Sequence, residues 1–256
     1  MTPFQTILAK ELRCFFVSPV LYVVGTVFLF ISGLIAHLMT VNAGQQAVRF
    51  LQVQNTYAQL NLNELVFRSL FYSLDFVLMF LLPILTMRLF AEERKSHTFE
   101  LLLTSPIGIN ELISAKYMSV LVVYLGLLSL TSLTPIILSL YASFHWHPIL
   151  TGYVALAFQG GLFLACGLLA SATTENQVVA AFLSFGMILL IWLLGELGSL
   201  LGDTTIGTIL SYVSFSEHYD RLVRGLLEAK DIVYYLSGIV LTLFIAHRVV
   251  DSHRWS

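Results

Sequence analysis

The stretch AEERKSHTFELLLTSP, residues 91–106, sets four charges in a row, Glu92, Glu93, Arg94 and Lys95, directly after a long apolar run. The chain around it is 57% hydrophobic and only 11% charged. A mean hydropathy of +0.85, with 19 Phe in 256 residues, lies well outside the range of a water-facing globule. Lipid is the expected solvent for most of the chain, and the charge cluster is expected to form a hydrated junction that fixes the membrane depth of the preceding segment.

A net charge of −2, with 13 Lys and Arg scattered along the chain, builds no concentrated basic face, which excludes nucleic acid as a partner. Cys14 and Cys166 are far apart and neither belongs to a CxxC pair, so no disulfide framework or zinc site is expected. Both read as small apolar residues.

Crossing the hydrocarbon core takes about 20 mostly apolar residues at about 1.5 Å each. Runs of that kind cover about 20–39, 69–87, 117–141, 149–172, 177–201 and 232–250. The predicted fold class is therefore all-α, a polytopic membrane protein forming a single transmembrane domain of six helices over 1–256. The first run is too long for a signal peptide and lacks a small-residue cleavage pattern, so it is expected to stay in the mature protein. Before it, Thr2-Pro3-Phe4-Gln5 has the form of a capped helix start, and Phe4, Ile7, Leu8, Leu12, Phe15 and Phe16 recur at helical spacing. This predicts an interfacial elbow helix over 1–18.

Orientation follows from Lys and Arg, which are enriched on cytoplasmic flanks. With both termini inside, eight fall on the inner side (Lys10, Arg13, Arg88, Arg94, Lys95, Lys116, Arg248, Arg254) and five outside (Arg49, Arg68, Arg221, Arg224, Lys230). Residues 88–116 then form a cytoplasmic loop. Residues 41–65 form an amide-rich outer loop, and 202–231 an outer-face lid segment. Within the lid a helix is expected from Ser216, with Tyr219, Leu222, Val223, Leu226 and Leu227 on one apolar face.

Ionisable groups inside spans are costly and each raises a functional question. Asp75 and Glu196 are the intramembrane polar candidates, with His37 beside them. His145 and His147 flank Trp146 in what reads as an interfacial turn. Ala157, Gly161 and Ala165 repeat every four residues, and Gly160 and Gly167 lie seven apart, so this face of the fourth span should pack against protein. No Gly-Lys pair occurs, hence no phosphate-cradling P-loop, and HExxH, GxSxG and a dinucleotide fingerprint are likewise missing. The chain itself is not expected to be an enzyme.

Residues 88–118, RLFAEERKSHTFELLLTSPIGINELISAKYM, resemble the cytoplasmic loop of ABC type-2 exporter permeases. There an acidic-basic cluster after the second span leads to a T-x-E-x-L-L-x-[TS]-P run and a segment ending in Lys. Thr98, Glu100, Leu102, Leu103, Ser105, Pro106 and Lys116 match it. KELRCFFVSPVLY, residues 10–22, resembles the family's elbow and first span. SEHYDRLVRGLLEAKDIVYYLS, residues 216–237, is similar to the helix before the last span in gliding-motility-type and copper-processing-type permeases.

The resemblance implies a permease subunit in the bacterial cytoplasmic (inner) membrane. It implies pairing with a second permease copy or a sister permease, and with cytoplasmic ABC ATPase subunits that bind the ATP; this chain holds no cofactor of its own. An outer-face accessory protein and membrane lipid complete the expected partners. Glu92, Glu93, Arg94, Thr98, Phe99, Glu100, Leu102, Leu103 and Pro106 are the implied ATPase-coupling residues, with Phe99, Leu102 and Leu103 as the apolar knob of a short coupling helix between spans two and three. The residues alone leave two other readings open: a self-contained secondary transporter or channel using Asp75 and Glu196, and a structural membrane anchor of a larger complex.

The charge bias makes a direct prediction. In a background lacking Cys14 and Cys166, Gln52→Cys and Glu217→Cys should react with a membrane-impermeant thiol reagent added to intact cells, and Ser96→Cys should not. Labelling at Ser96 would reverse the orientation.

Overall fold

The computed structural model describes residues 3–54, 63–100, 108–202 and 204–252. Its helices are α1 (Pro3–Val17), α2 (Pro19–Gln54), α3 (Ser69–Thr86), α4 (Ala91–Lys95), α5 (Ile109–Thr131), α6 (Leu133–Ser139), α7 (Trp146–Thr173), α8 (Gln177–Leu201), α9 (Thr205–Val213), α10 (Phe215–Val223) and α11 (Ala229–Ser252). No strand occurs among the described residues. Six stretches are long and apolar enough to cross a membrane: Pro19–Gln46, Glu64–Lys95, Ile109–Ser139, Trp146–Thr173, Gln177–Leu201 and Ala229–Ser252. The all-α polytopic architecture follows from them. One end of the bundle carries α1 and α4, the other α9 and α10.

The first span differs most from its expected outline. α2 continues for 36 residues, roughly 54 Å at about 1.5 Å per residue, against a hydrocarbon core of about 30 Å. The amide-rich segment from residue 41 is therefore helical as far as Gln54 rather than a loop. Single Gly44 costs too little to stop the helix and no proline follows it. The chain resumes in a π-helical turn, Asn63–Arg68, whose Val66 and Phe67 are buried.

α7 is the centre of the bundle. It packs against α3, α5, α8, α10 and α11, and its buried residues run from Ile149 to Ala172 on all sides. Close approach is possible because glycines sit where neighbours press in. A Cβ at Gly152 would overlap the Phe71 ring, at Gly160 the Tyr124 ring, and at Gly167 the Thr86 side chain. The space also lets tyrosines reach the helix backbone: Tyr124 donates to the Leu156 carbonyl at 2.6 Å and Tyr117 to that of Gly161 at 3.1 Å. Small residues and interhelical hydrogen bonds are the two sources of cohesion that remain when lipid is as apolar as the side chains.

The lid segment consists of two helices rather than one. α8 ends at Gly202, whose φ of 56° turns the chain back. α9 then returns alongside α8, with Thr204 capping its start at 3.1 Å from the Gly207 amide. Gly198 and Gly207 make this hairpin possible. A Cβ at Gly198 would lie 2.7 Å from the Ser211 amide and 2.9 Å from the Gly207 carbonyl. The return carries Ser214 to the level of Gly195, where it starts α10. α10 is thus seated inside the end of the bundle, against α7, rather than laid over it.

Filling a glycine step should be costly where a ring already occupies it. Gly160→Ala is expected to destabilise the purified chain in lipid nanodiscs by about 1–3 kcal/mol, the usual cost of overpacking. Gly126→Ala, whose Cβ meets nothing within 4 Å, should leave thermal unfolding unchanged or slightly raised.

Candidate functional site

At the α1 end, the charge cluster is folded into the protein. Glu92 and Lys95 are exposed, whereas Glu93 and Arg94 are half-buried. Lys116, on α5, is the reason: its side chain is 1% exposed, and its Nζ lies 2.9 Å from Glu93 Oε2 and 3.1 Å from Glu11 Oε1. It also donates to the Leu89 carbonyl at 2.6 Å and stands 5.0 Å from the centre of the Phe90 ring. Lys10 closes the set, 3.1 Å from Glu93 and 3.5 Å from Glu11. Partial burial pulls the Lys10 ammonium down, but the two carboxylates outweigh it and hold it above the ordinary lysine value. Two cations and two anions thus balance in a clamp joining α1, α4 and α5, buried at Lys116 and half-exposed at Lys10.

α4 is also tied to α7. Its first turn has no side-chain cap of its own. Instead Ser171 Oγ accepts from the amides of Phe90 and Ala91 at 2.8 and 3.1 Å and donates to the Met87 carbonyl at 3.1 Å. Arg94 donates to the Ala172 carbonyl at 2.8 Å and faces Glu175 at 3.6 Å. The helix ends where His97 adopts a φ of 55°, and the Thr98 amide returns to the Glu93 carbonyl at 3.0 Å. Between α1 and this turn lies a cavity of ≈ 640 Å³ lined by Lys10, Glu11, Arg13, Arg88, Glu92 and Glu93 among others.

Of the four charges expected at a hydrated junction, Glu92 and Lys95 are exposed, whereas Glu93 and Arg94 turn partly inward because Lys116 and the Ala172 carbonyl are within reach as partners. Phe99 is buried at 7% exposure and meets the Phe90 ring edge-on at 6.0 Å, so its ring is not an outward knob. Thr98 and Glu100 are exposed. Leu102, Leu103 and Pro106 lie outside the described residues.

At the other end, Tyr219, Leu222 and Val223 of α10 are buried. Leu226 and Leu227 are about half exposed, because α10 stops before them. Gly225 has a φ of 90°, its amide bonds to the Leu222 carbonyl at 3.0 Å, and the Leu226 amide bonds to that of Arg221 at 3.0 Å. This is a glycine-terminated helix end, and it breaks the apolar stripe that the spacing alone carries through to Leu227.

Ion pairs hold α10 on two sides. Towards α3, Asp220 pairs with Arg68 at 3.0 Å and with Arg224 at 2.8 Å, and accepts from the Tyr72 hydroxyl. Burial pushes the Asp220 carboxyl up, but the bonds from Arg224 and Tyr72 and the charges of Arg224 and Arg68 hold it below the usual range. Towards α11, buried Asp231 lies 2.6 Å from both His218 Nδ1 and Arg221 Nη2. The Tyr234 ring stacks on His218 at 4.0 Å. Hydrogen bonding to Asp231 raises the Arg221 guanidinium further. His218, Asp231, Glu11 and Ser171 are absent from the residues picked out by sequence as a site, and Lys116 appears there only as a match to the loop pattern. Glu11, His218 and Asp231 sit beside other charged residues, so nothing in the local sequence sets them apart.

Asp75 and Glu196 are not brought together. Asp75 has a buried carboxyl oxygen inside the bundle, whereas Glu196 is exposed near the C-terminal end of α8. His145 and His147 line a pocket of ≈ 370 Å³ with Glu64, Arg68 and Arg224. Among the described residues, no group of three or more His, Cys, Asp and Glu is arranged to hold a metal ion.

The chain has no match among curated proteins. Residues 46–195, more than half of the chain, match the family model described as ABC-2 family transporter protein. That region contains the α4 anchorage, the Lys116 clamp partner and the whole of α7. With six apolar helices around it, the chain belongs to the ABC-2 family of transporters, as a membrane-spanning permease.

Proposed function

We propose that this permease is the transmembrane subunit of an ABC exporter in which a separate cytoplasmic ATPase subunit binds and hydrolyses ATP. The observation that carries this reading is the double attachment of α4, through Ser171 and Arg94 to α7 and through Glu93 to Lys116. A push on the adjoining loop would move α4, and with it the one helix that touches most of the bundle and the seat of α10. ATPase closure then supplies the differential contact that a driven two-state switch requires. Leu102 and Leu103 are the apolar residues offered to a groove on the ATPase.

A second permease copy or a sister permease completes the complex. The broad apolar faces of α2 and α8, with Phe30, Phe182 and Leu190 exposed, support such pairing alongside lipid contact. The eight-to-five charge split supports cytoplasmic termini in a bacterial inner membrane. The likeness of residues 216–237 to gliding-motility-type and copper-processing-type permeases favours that branch, and an outer-face accessory protein that receives transmitted force fits the α10 end.

Two variants separate docking from folding. Leu102→Asp should leave insertion intact but reduce copurification of the ATPase and uncouple hydrolysis from substrate, with Glu111→Ala as the control that changes little. A buried apolar contact of this kind contributes roughly 1–3 kcal/mol. Undiminished copurification and coupling would remove Leu102 from the coupling element.

Lys116→Ala, by contrast, leaves Glu11 and Glu93 with the half-exposed Lys10 as their shared partner and should cost about 3 kcal/mol of stability, the low end for breaking a buried pair. Glu92→Ala, at an exposed position, should stay within about 0.5 kcal/mol. Thermal unfolding in nanodiscs reads both, and equal effects would show that the Lys116 pairs contribute no more than an exposed charge does.

A further inference from the structure

The cavity of ≈ 640 Å³ between α1 and α4 holds more positive charge than the clamp uses. Lys10 and Lys116 on its wall are matched by Glu11 and Glu93. That leaves Arg13 and Arg88 against one carboxylate, the exposed Glu92. Among the described residues, none of these three makes an ion pair.

Arg88 is half-buried. It donates to Ser18 Oγ and, at 3.4 Å, to the Cys14 carbonyl, and its guanidinium lies over the Phe15 ring at 5.3 Å. All of these contacts are to uncharged groups. Capping α1 does not account for them, because the Ser18 amide already bonds to the Cys14 and Phe15 carbonyls at 3.1 and 3.2 Å. A guanidinium keeps its proton and has N–H donors to spare after two bonds, so Arg88 retains a full charge with nothing to offset it. Withdrawing such a charge from water is costly unless an anion accompanies it. The described residues supply none.

The surroundings indicate the kind of anion. The cavity lies where α1 gives way to α2 at Ser18, and Pro19 begins the first apolar span. Val17, on the cavity wall, is exposed. So are Phe16 and Tyr22, which are joined where the Tyr22 hydroxyl donates to the Phe16 carbonyl at 2.8 Å. A basic slot with an apolar margin at the edge of a span suits a molecule with an anionic head and hydrocarbon tails. A free anion would gain nothing from the margin. The planar fork of Arg matches phosphate oxygens best.

We propose that Arg88 and Arg13 form a phosphate site that takes the headgroup of an anionic phospholipid, with its acyl chains over Val17, Phe16 and Tyr22. Arg13 is on α1 and Arg88 lies just past the end of α3, so a bound headgroup bridges the interfacial helix and the second span. The site depends neither on the exporter reading nor on which leaflet this end faces.

The test is lipid retention by the purified full chain in native mass spectrometry, with dioleoyl phosphatidylglycerol and dioleoyl phosphatidylcholine as probes. Both carry a phosphodiester and the same tails, and only the first is net anionic. The parent should retain phosphatidylglycerol in preference. Arg88→Gln should weaken that retention about tenfold, the effect of losing a hydrogen-bonded charge. Arg13→Gln should weaken it about fivefold, as for one basic residue at a membrane surface. Glu92→Gln, which removes the opposing charge, should strengthen it. If Arg88→Gln does not fold, Arg13→Gln still decides, because Arg13 is exposed. Inorganic phosphate separates the two sources of the group: it should leave the lipid in place, and displacement would assign the site to soluble phosphate and overturn the lipid. Equal retention of the two lipids by the parent overturns the proposal, as does unchanged retention in Arg13→Gln. So does loss of ATPase copurification in Arg13→Gln without loss of lipid, which would assign the charge to the partner protein.

Discussion

The closeness of α7 to its neighbours is the constraint on which the rest of the structure depends. In lipid there is no hydrophobic drive between helices, so cohesion comes from packing and from polar contacts that small residues make reachable. Gly152, Gly160 and Gly167 each admit a side chain that a Cβ would exclude, from α3 or from α5. The same approach brings Tyr117 and Tyr124 onto helix carbonyls and Ser171 beneath the first turn of α4. Without it, α4 would have no cap, and α10 no wall to sit against.

The two ends of the bundle solve similar electrostatic problems. Each buries a charge that would be prohibitively expensive alone, Lys116 at one end and Asp231 at the other, and each surrounds it with opposite charge from a different helix. Such clusters contribute little net stability relative to apolar packing, but they are sensitive to misplacement because removing one partner strands the others. They therefore define the positions of α4 and α10 sharply. A permease that must move between two arrangements benefits from ends with discrete rather than graded packing.

Asp75 stands apart from both clusters. It is half-buried near tyrosines whose hydroxyls donate to other oxygens, with Gln159 beside its carboxyl. Its proximity to the Phe71 carbonyl, which holds Tyr219, ties the middle of the second span to the seat of α10.

Much of this protein was legible in the chain itself. Hydropathy over about 20 residues marks a span wherever it falls, because a lipid-exposed backbone has to satisfy its own hydrogen bonds. The six spans, the α1 helix and the packing role of the fourth span's small residues are local properties of that kind. The outcome was different wherever a distant partner decided. Glu93 and Arg94 read as hydrated because nothing nearby in sequence pairs with them, yet Lys116 and Ala172 draw both inward. Phe99 read as an outward knob, but Phe90 covers it.

The apolar spacing from Tyr219 to Leu227 promised one helix, and Gly225 ended it four residues after Arg221. Gly198 and Gly207, nine residues apart, became a hairpin only when their backbones met. Composition and periodicity report what each segment needs from its solvent. Which charges become buried, and which face of a helix stays covered, depends on contacts across tens of residues, and only the tertiary structure decided those.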